Sequence, residues 1–593
     1  MKIHYTLQIP RPHTHEFEVN ILIENYTNNN EKNLIFKLPV WTPGSYLLRE
    51  YAKNIYEVQS YQNQKKLLTK KINKNTWEID TKLLDNQPIT INYKGYAFEH
   101  SVRTNYIDAS HIFLNGAATF MFFPDFMGND LSLEIKKPTQ FEHIITALHK
   151  VENKDNLYHA KNFDELVDCP IEIGNCTLFE VDYQGILHQF AFHQLEISQE
   201  KLHQFKKDFF KIIHEATEIF GENPCKKYTT IAHFTEDNYG GLEHCESMAL
   251  IFQRNIFESE ENYIDFLTLF AHEYFHIWNI KRLCPDALWQ FDYENENYTR
   301  LLWQVEGFTT YFQDLIMRKA NLISVETYLE EQQKRIQLIE NQYGNKIQSV
   351  AESSLDAWIK AYRPNENSQN TTISYYSKGA ILALWIDIMV LEASNGEQNI
   401  EHLIKEMYQV FYLQKKKGFS ENELKLIVEK YTKKDLTDFW TDYIEGTKEI
   451  PYATIFEKIG VVYENEPKNK IDLGINIDTN LKITFIKRNG NAFEAGLQVG
   501  DKIIALDNQN IKEKDLTKII ENKKIGQNTL FSVMRNGIMT HINVNFQLST
   551  EATHKLKRKD NVENHLWEKW AKIVIKPKNN THFSKLVDIY NKI

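Results

Sequence analysis

A chain of 593 residues with 42% hydrophobic and 25% charged residues has room for three or four domains and the balance of an ordinary globular protein. Its net charge of -11 and pI near 6.1 exclude a general binder of nucleic acid or of anionic membranes. No run of about 18 apolar residues occurs, Met1-Lys2-Ile3-His4 opens no signal-type apolar core, and Cys169, Cys176, Cys225, Cys245 and Cys284 form no C-x-x-C pair; a cytoplasmic protein with reduced thiols and no membrane span is expected.

Residues 1 to about 150 read as β-rich. Phe17, Val19, Ile21 and Ile23 fall on one side of 15–24, and Ile89, Ile91 and Tyr93 repeat the period. Turn-type clusters at Asn28-Asn29-Asn30 and Asp85-Asn86-Gln87-Pro88 separate the runs, so a sandwich-like antiparallel domain is expected. Within it, L-P-V-W-T-P-G-S-Y at 38–46 sets two prolines and a glycine around Trp41. The first expectation is a rigid structural turn, the second a wall of a substrate cleft. The polar stretch 151–156 is a weak boundary, and E-L-V-D-C-P follows at 165–170. Leu202, Phe205, Phe209 and Ile213 are spaced for one helix face over 198–220, with Gly221 placed as the stop, and 228–234 reads as a strand. Y-G-G-L-E-H-C-E-S at 239–247 precedes the strand-like 248–252. Paired glycines let a backbone approach another chain closely, and a carboxylate at such an edge could hold a positive substrate group; a plain glycine turn is the simpler alternative.

The stretch F-A-H-E-Y-F-H-I-W-N at 270–279 contains H-E-x-x-H. On a helix, His272 and His276 stack on one face and can hold one metal together, while Glu273 stands beside the open coordination position as base for a water. Ile264, Leu267, Phe270 and Trp278 recur at helical spacing and neither Pro nor Gly interrupts 263–283, which predicts a helix there. The chain has 21 His and 80 acidic residues. If half of the acids are Glu, chance yields roughly 0.05 such motifs. A tetrahedral catalytic zinc needs a third protein ligand. Glu306, in the middle of the apolar L-W-Q-V-E-G-F-T-T-Y-F at 302–312, is the natural one, because an acid there is costly to bury unless paired or metal-bound. After the polar loop 365–370, S-Y-Y-S-K-G-A-I-L at 374–382 opens a helix. A tyrosine at its mouth could donate to a developing oxyanion; packing tyrosines are the alternative. E-N-E-P-K at 464–468 reads as a linker, 468–547 as a small separate module, and 551–593 as a tail, basic at 555–559, with Trp567 and Trp570 in a helix.

These segments, in this order, resemble the glycyl aminopeptidase family of zinc metallopeptidases, whose members carry a PDZ domain. The resemblance rests on 38–46, 240–244, 271–279 with Lys281-Arg282, E-G-F-T at 306–309, 375–380, and A-G-L at 495–497 with Gly500-Asp501, and covers most of 1–550. H-E-x-x-H and E-G-F-T are shared with a wider gluzincin group; W-T-P-G-S-Y and the PDZ-like module narrow the choice. The implied architecture is multidomain α+β. An N-terminal antiparallel β-sandwich-like domain would span 1–165, a mainly helical, thermolysin-like catalytic domain 166–460, a PDZ-like domain 466–550 and a helical tail 551–593.

The resemblance also implies zinc, one ion per chain, on His272, His276 and Glu306, with Glu273 as general base and Tyr376 as oxyanion donor, Tyr375 being the fallback. Glu243, with Gly240 and Gly241, would grip the free α-amino group of a peptide substrate, although His244 stands where related aminopeptidases have Asn. Thermolysin-like sites carry an acid four residues after the glutamate ligand; Thr310 occupies that position, so Thr310 or an acid from elsewhere is expected to support a histidine ligand. The PDZ-like module would hold a peptide's terminal carboxylate near Leu473, Gly474 and Ile475, or merely pack on the catalytic domain. The implied activity is hydrolysis of the N-terminal peptide bond, with small first residues such as Gly or Ala. A zinc endopeptidase of thermolysin-like type is the nearest alternative, and Glu243 separates the two. A non-catalytic PDZ peptide-binding scaffold is the other, disfavoured by the complete ligand and base set. Neither nucleic acid nor membrane is expected as a partner.

Overall fold

The protein is described by a computed structural model over residues 1–26, 33–80, 87–559 and 563–572; the turns read at 28–30 and 85–86 lie outside these. The alternation near the N-terminus yields strands. Lys2–Gln8 and Glu16–Glu24 pair antiparallel, with Ile3, Tyr5, Leu7, Phe17, Val19, Ile21 and Ile23 all turned into one core. They sit mid-way in an eight-stranded, mostly antiparallel sheet, in which Lys2–Gln8 also pairs in parallel with Leu131–Lys136. Two smaller sheets complete this first unit. One of them pairs His111–Leu114 with Ile171–Gly174, so the unit runs past residue 165 to Gly174.

The next sheet has the order Thr177–Tyr183, Ile186–His193, Lys227–Thr235, Ser247–Gln253, Gly240–Glu243. Helix Gln199–Phe220 makes the crossover between the parallel strands Ile186–His193 and Lys227–Thr235. Ser198 caps its start by accepting from the Lys201 amide, and Gly221, at φ 83°, ends it in the left-handed region. Gly240–Glu243 is the outermost strand, so one side of its backbone is not paired within the sheet.

Helix Glu260–Phe275 packs on this sheet, Leu302–Lys319 packs on that helix, and Tyr375–Ala393 packs on Leu302–Lys319. The last two touch where Gly307 meets Gly379; a Cβ on Gly307 would lie 2.4 Å from the Gly379 Cα. Only glycines permit that approach, and it fixes Glu306 and Tyr376, three residues before Gly379, at one end of the helix pair. Within 368–393 lies the one helix among the described residues long and apolar enough to cross a membrane, and 78% of its apolar window is buried inside the protein.

The small module has its own core of Ile483, Leu506, Phe531, Val533 and Val544 around the four-stranded sheet Gln509–Asn510, Lys502–Leu506, Asn528–Arg535, Ile538–Asn545. Two expectations fail nearby. The segment read as a linker at 464–468 belongs to strand Val461–Pro467, and the tail does not begin as a helix, because Ala552–Arg558 pairs antiparallel with that strand. The reason is charge: Lys557 pairs with Glu464 and Lys555 with Glu466 along the ladder. Helix His565–Trp570 then returns to the helical body, with Trp570 fully buried and its Nε1 donating to the Tyr311 hydroxyl.

Candidate active site

Helix Glu260–Phe275 begins at Ser259, whose hydroxyl accepts from the Asn262 amide, and carries Glu260 and Glu261 in its first turn. It stops at Phe275 rather than running on to 283. His276 forms the C-cap, and the chain turns so that His276 Nδ1 donates to the Asn279 carbonyl at 2.8 Å. Asn279 is itself locked: its Nδ2 donates to Val305 O at 2.8 Å and Thr309 Oγ1 at 3.0 Å, and its Oδ1 accepts from Gln304. His272 Nδ1 donates to Gln313 Oε1 at 2.7 Å.

These bonds decide what the other ring nitrogens are. Both partners are carbonyl oxygens and accept only, so the neutral rings carry their protons on Nδ1 and their lone pairs on Nε2. The two Nε2 atoms lie 3.1 Å apart, and Glu306 Oε2 lies 3.4 Å from His272 Nε2 and 3.3 Å from His276 Nε2. With both rings neutral, their Nε2 lone pairs and Glu306 Oε2 converge on one buried point. Donors about 2.0–2.1 Å from a tetrahedral ion are separated by about 3.3–3.4 Å, which is the spacing found, so the residues present fit such an ion. Gln313 and the Asn279 carbonyl orient the two rings, not Thr310 or an acid. Gln313 lies seven residues past Glu306, two turns along the same face, and that spacing was the available signal.

Glu273 faces the same point from the other side. It is 5% exposed, and burial pushes its carboxyl up to about 7 against the opposing pull of His272 and His276. Gly241 of the edge strand is packed directly on it: a Cβ there would lie 2.1 Å from Glu273 Oε1. Glu243, Glu273 and His276 also offer atoms within 4.8 Å of one another, so Glu243 closes one end of the cleft beside the base. His244 points away from the cleft, its Nδ1 3.3 Å from Asp168, which also accepts from the Cys245 amide at 2.7 Å and from Lys281 Nζ at 2.6 Å. Asp168 thereby ties the edge strand to the turn after the histidine helix, which gives E-L-V-D-C-P and Lys281 their purpose.

Tyr376 and not Tyr375 lines the cleft. Its ring centroid is 6.2 Å from that of His272, while Tyr375 is 1% exposed and turned into the core. The loop at 38–46 is both a rigid turn and a cleft wall. Trp41 Nε1 donates to Asp292 O at 2.8 Å, and Gly44, at φ 86°, brings its backbone against the Glu243 carboxylate, leaving 2.7 Å to a would-be Cβ. Arg103, from the first unit, lines the cleft and donates from Nη2 to the Gly241 carbonyl at 3.0 Å. No pattern in the sequence marked it. The cleft encloses about 350 Å³. Leu473, Gly474 and Ile475 lie apart from it, in a groove of about 370 Å³ formed with Leu516 and Ile520 and bordered by Tyr343 of the catalytic body. The small module is fastened there by Asn370, which donates to Ile486 O and accepts from the Arg488 amide.

Comparison with known proteins follows the same partition. Residues 4–175 match the peptidase M61 N-terminal domain, 265–382 the M61 glycyl aminopeptidase domain and 458–546 a PDZ domain. The crystal structure of an aminopeptidase N family protein from Idiomarina loihiensis is 28% identical, covers 96% of this chain and 100% of its own, and superposes with a TM-score of 0.89. Native yeast LTA4 hydrolase is 13% identical over 77% of this chain and 70% of its own, with a TM-score of 0.48. An M1 zinc metallopeptidase from Deinococcus radiodurans is 10% identical over 76% and 95%, at 0.45. Among curated protein sequences nothing matches.

Proposed function

Because this chain belongs to the M61 glycyl aminopeptidase family and is a metallopeptidase, we propose that it is a zinc aminopeptidase that removes the first residue of peptides with a free N-terminus, preferring small ones such as Gly or Ala. One observation carries the reading: His272 Nε2, His276 Nε2 and Glu306 Oε2 meet within 3.1–3.4 Å, with each ring's Nδ1 hydrogen-bonded elsewhere. These three residues would hold one catalytic zinc. Bound there, zinc supplies a Lewis acid that acidifies water and polarises a carbonyl. The preference for small first residues rests on the family description alone.

The chain's own groups do the rest. The outer strand Gly240–Glu243 aligns an extended peptide by main-chain hydrogen bonds. Glu243 holds the α-ammonium and so selects chain ends over internal bonds. Glu273 takes the proton of the attacking water and returns it to the leaving amine, a task suited to a carboxyl whose burial raises its pKa toward neutrality. Tyr376 donates its hydroxyl to the developing oxyanion. In the PDZ module, Leu473, Gly474 and Ile475 would receive a peptide's terminal carboxylate. The Leu473 and Gly474 amides make no hydrogen bond among the described residues, which supports that reading. The five thiols are all unpaired, which suits a cytoplasmic site of action.

The test is metal analysis of the purified chain together with hydrolysis of Gly- and Ala-initiated peptides. Activity should vanish with chelator and return with zinc. Glu273→Gln should keep its metal and lose hydrolysis; a variant as active as its parent would overturn the reading.

A further inference from the structure

The seam between the first unit and the catalytic sheet buries a second set of metal-type donors that the reaction does not use. His111 and Glu172 come from the paired strands His111–Leu114 and Ile171–Gly174, while His193 and His233 are register partners on Ile186–His193 and Lys227–Thr235. His111 Nδ1 lies 3.0 Å from Glu172 Oε1, and His233 Nε2 lies 3.0 Å from Glu172 Oε2. Cys176 Sγ is 3.8 Å from the first of those oxygens, and the His193 ring stacks on His111 with centroids 3.8 Å apart. The side chains of His111, Glu172 and His233 are wholly shielded from solvent. Gly174 leaves open the space that a Cβ would fill, 3.3 Å from Glu172 Oε1 and 3.8 Å from Cys176 Sγ.

A pure hydrogen-bond network satisfies this cluster poorly. If His111 and His233 each donate one proton to Glu172, then His111 Nε2, His233 Nδ1 and both nitrogens of His193 remain buried without a partner among the described residues. Each such group costs about 1–3 kcal/mol. A divalent ion beside the Glu172 carboxylate would take up lone pairs that this network leaves unused. The pattern repeats the catalytic one: His111, Glu172 and His233 offer one donor each within 4.8 Å, as do His272, His276 and Glu306.

We propose that His111, Glu172 and His233 bind a second divalent metal of the zinc class, with His193 and Cys176, beside the same carboxylate, able to close its coordination. The mix of imidazole, carboxylate and thiol suits zinc, and closed burial without a substrate cleft marks a structural site. Its ligands come from both sheets, so the ion clips the first unit to the catalytic sheet. Strand Lys227–Thr235, which carries His233, leads directly to the substrate edge at Gly240.

The test is the metal content of the full chain after zinc loading and removal of free metal. The parent should carry two ions and His276→Ala/Glu306→Gln one, with the melting temperature of that variant rising when zinc is restored to its apo form. His111→Ala/His233→Ala should carry one ion and melt earlier than its parent. A folded His276→Ala/Glu306→Gln protein that carries no metal and melts alike with and without zinc would overturn the proposal. That variant leaves the buried cluster untouched, so its result stands even if His111→Ala/His233→Ala fails to fold.

Discussion

Gly241→Ala separates positioning of the base from every other property of the cleft. The added methyl would sit 2.1 Å from Glu273 Oε1, and real Cβ contacts essentially never fall below 3.0 Å, so the carboxylate must withdraw by about 0.9 Å. The atoms in the way are Oε1, Cδ at 2.4 Å and Cγ at 2.5 Å of the Glu273 side chain rather than backbone, and Gly241 is not among the residues with positive φ, so the cost falls on the placement of Glu273. A displacement near 1 Å at a reacting group lowers the rate about 100-fold, or about 2.7 kcal/mol in the barrier. Steady-state hydrolysis of a Gly-initiated dipeptide, with metal content and circular dichroism measured on the same sample, reads the effect. The expected result is a fall of that order in kcat at unchanged metal content and fold, with KM changed far less. A folded, metal-replete Gly241→Ala enzyme with kcat within twofold of its parent would refute the placement of Glu273 as base.

Removing Glu243 with Glu243→Ala should cost free-amine peptides about 10- to 160-fold in kcat/KM, the equivalent of a 1.5–3 kcal/mol charge-assisted contact, and leave N-acetylated peptides nearly unchanged. Tyr376→Phe should lower kcat about 100- to 1000-fold with zinc retained, whereas Tyr375→Phe should not approach that loss. Asp168→Asn strands the buried Lys281 charge and should destabilise the fold by roughly 3–5 kcal/mol in denaturant titration. The Asp168 carboxyl is held well below the usual carboxylate range by Lys281 and His244, against its burial. Its contribution is therefore present above the ordinary carboxylate pKa and lost only as pH falls toward the folded value, so the parent's margin over Asp168→Asn should narrow in strong acid.

What could be read in the sequence was whatever a short spacing encodes. H-E-x-x-H needs only five residues to state that two imidazoles face one point, and an acid inside an apolar helix announces its own cost. The alternation at 15–24 and the Gly221 stop were legible for the same local reason. The residues that orient the site were not. Gln313 acts two turns beyond Glu306, Asn279 acts through its backbone carbonyl as well as its side chain, and Arg103 reaches Gly241 from 138 residues away. The end of the histidine helix at Phe275 was missed because the residues after it stay apolar; tertiary packing of Ile277 and Trp278, both fully buried, keeps the period without the helix. The pairing of 552–558 with 461–467 was missed because charged residues on an exposed ladder look like linker and tail until they are set opposite one another.

The seam between the first unit and the catalytic sheet is therefore part of the enzyme rather than a boundary between modules. Gly44 and Arg103, both from the first unit, touch the strand that would bind substrate: one limits where Glu243 can go, and the other fixes the Gly241 carbonyl. Asp168, just before the last strand of that unit, holds His244 and Lys281. A shift of about 1 Å across the seam would move Glu243 relative to the histidines without altering any of the donors. The catalytic helices are braced differently, by the Gly307–Gly379 contact and the Asn279 lock, which lie wholly within the helical body. Metal binding at His272, His276 and Glu306 and substrate gripping at Glu243 would thus depend on separate sets of contacts. A substitution at the seam should raise KM while leaving affinity for the metal at His272, His276 and Glu306 intact, and one at the glycine contact should do the reverse.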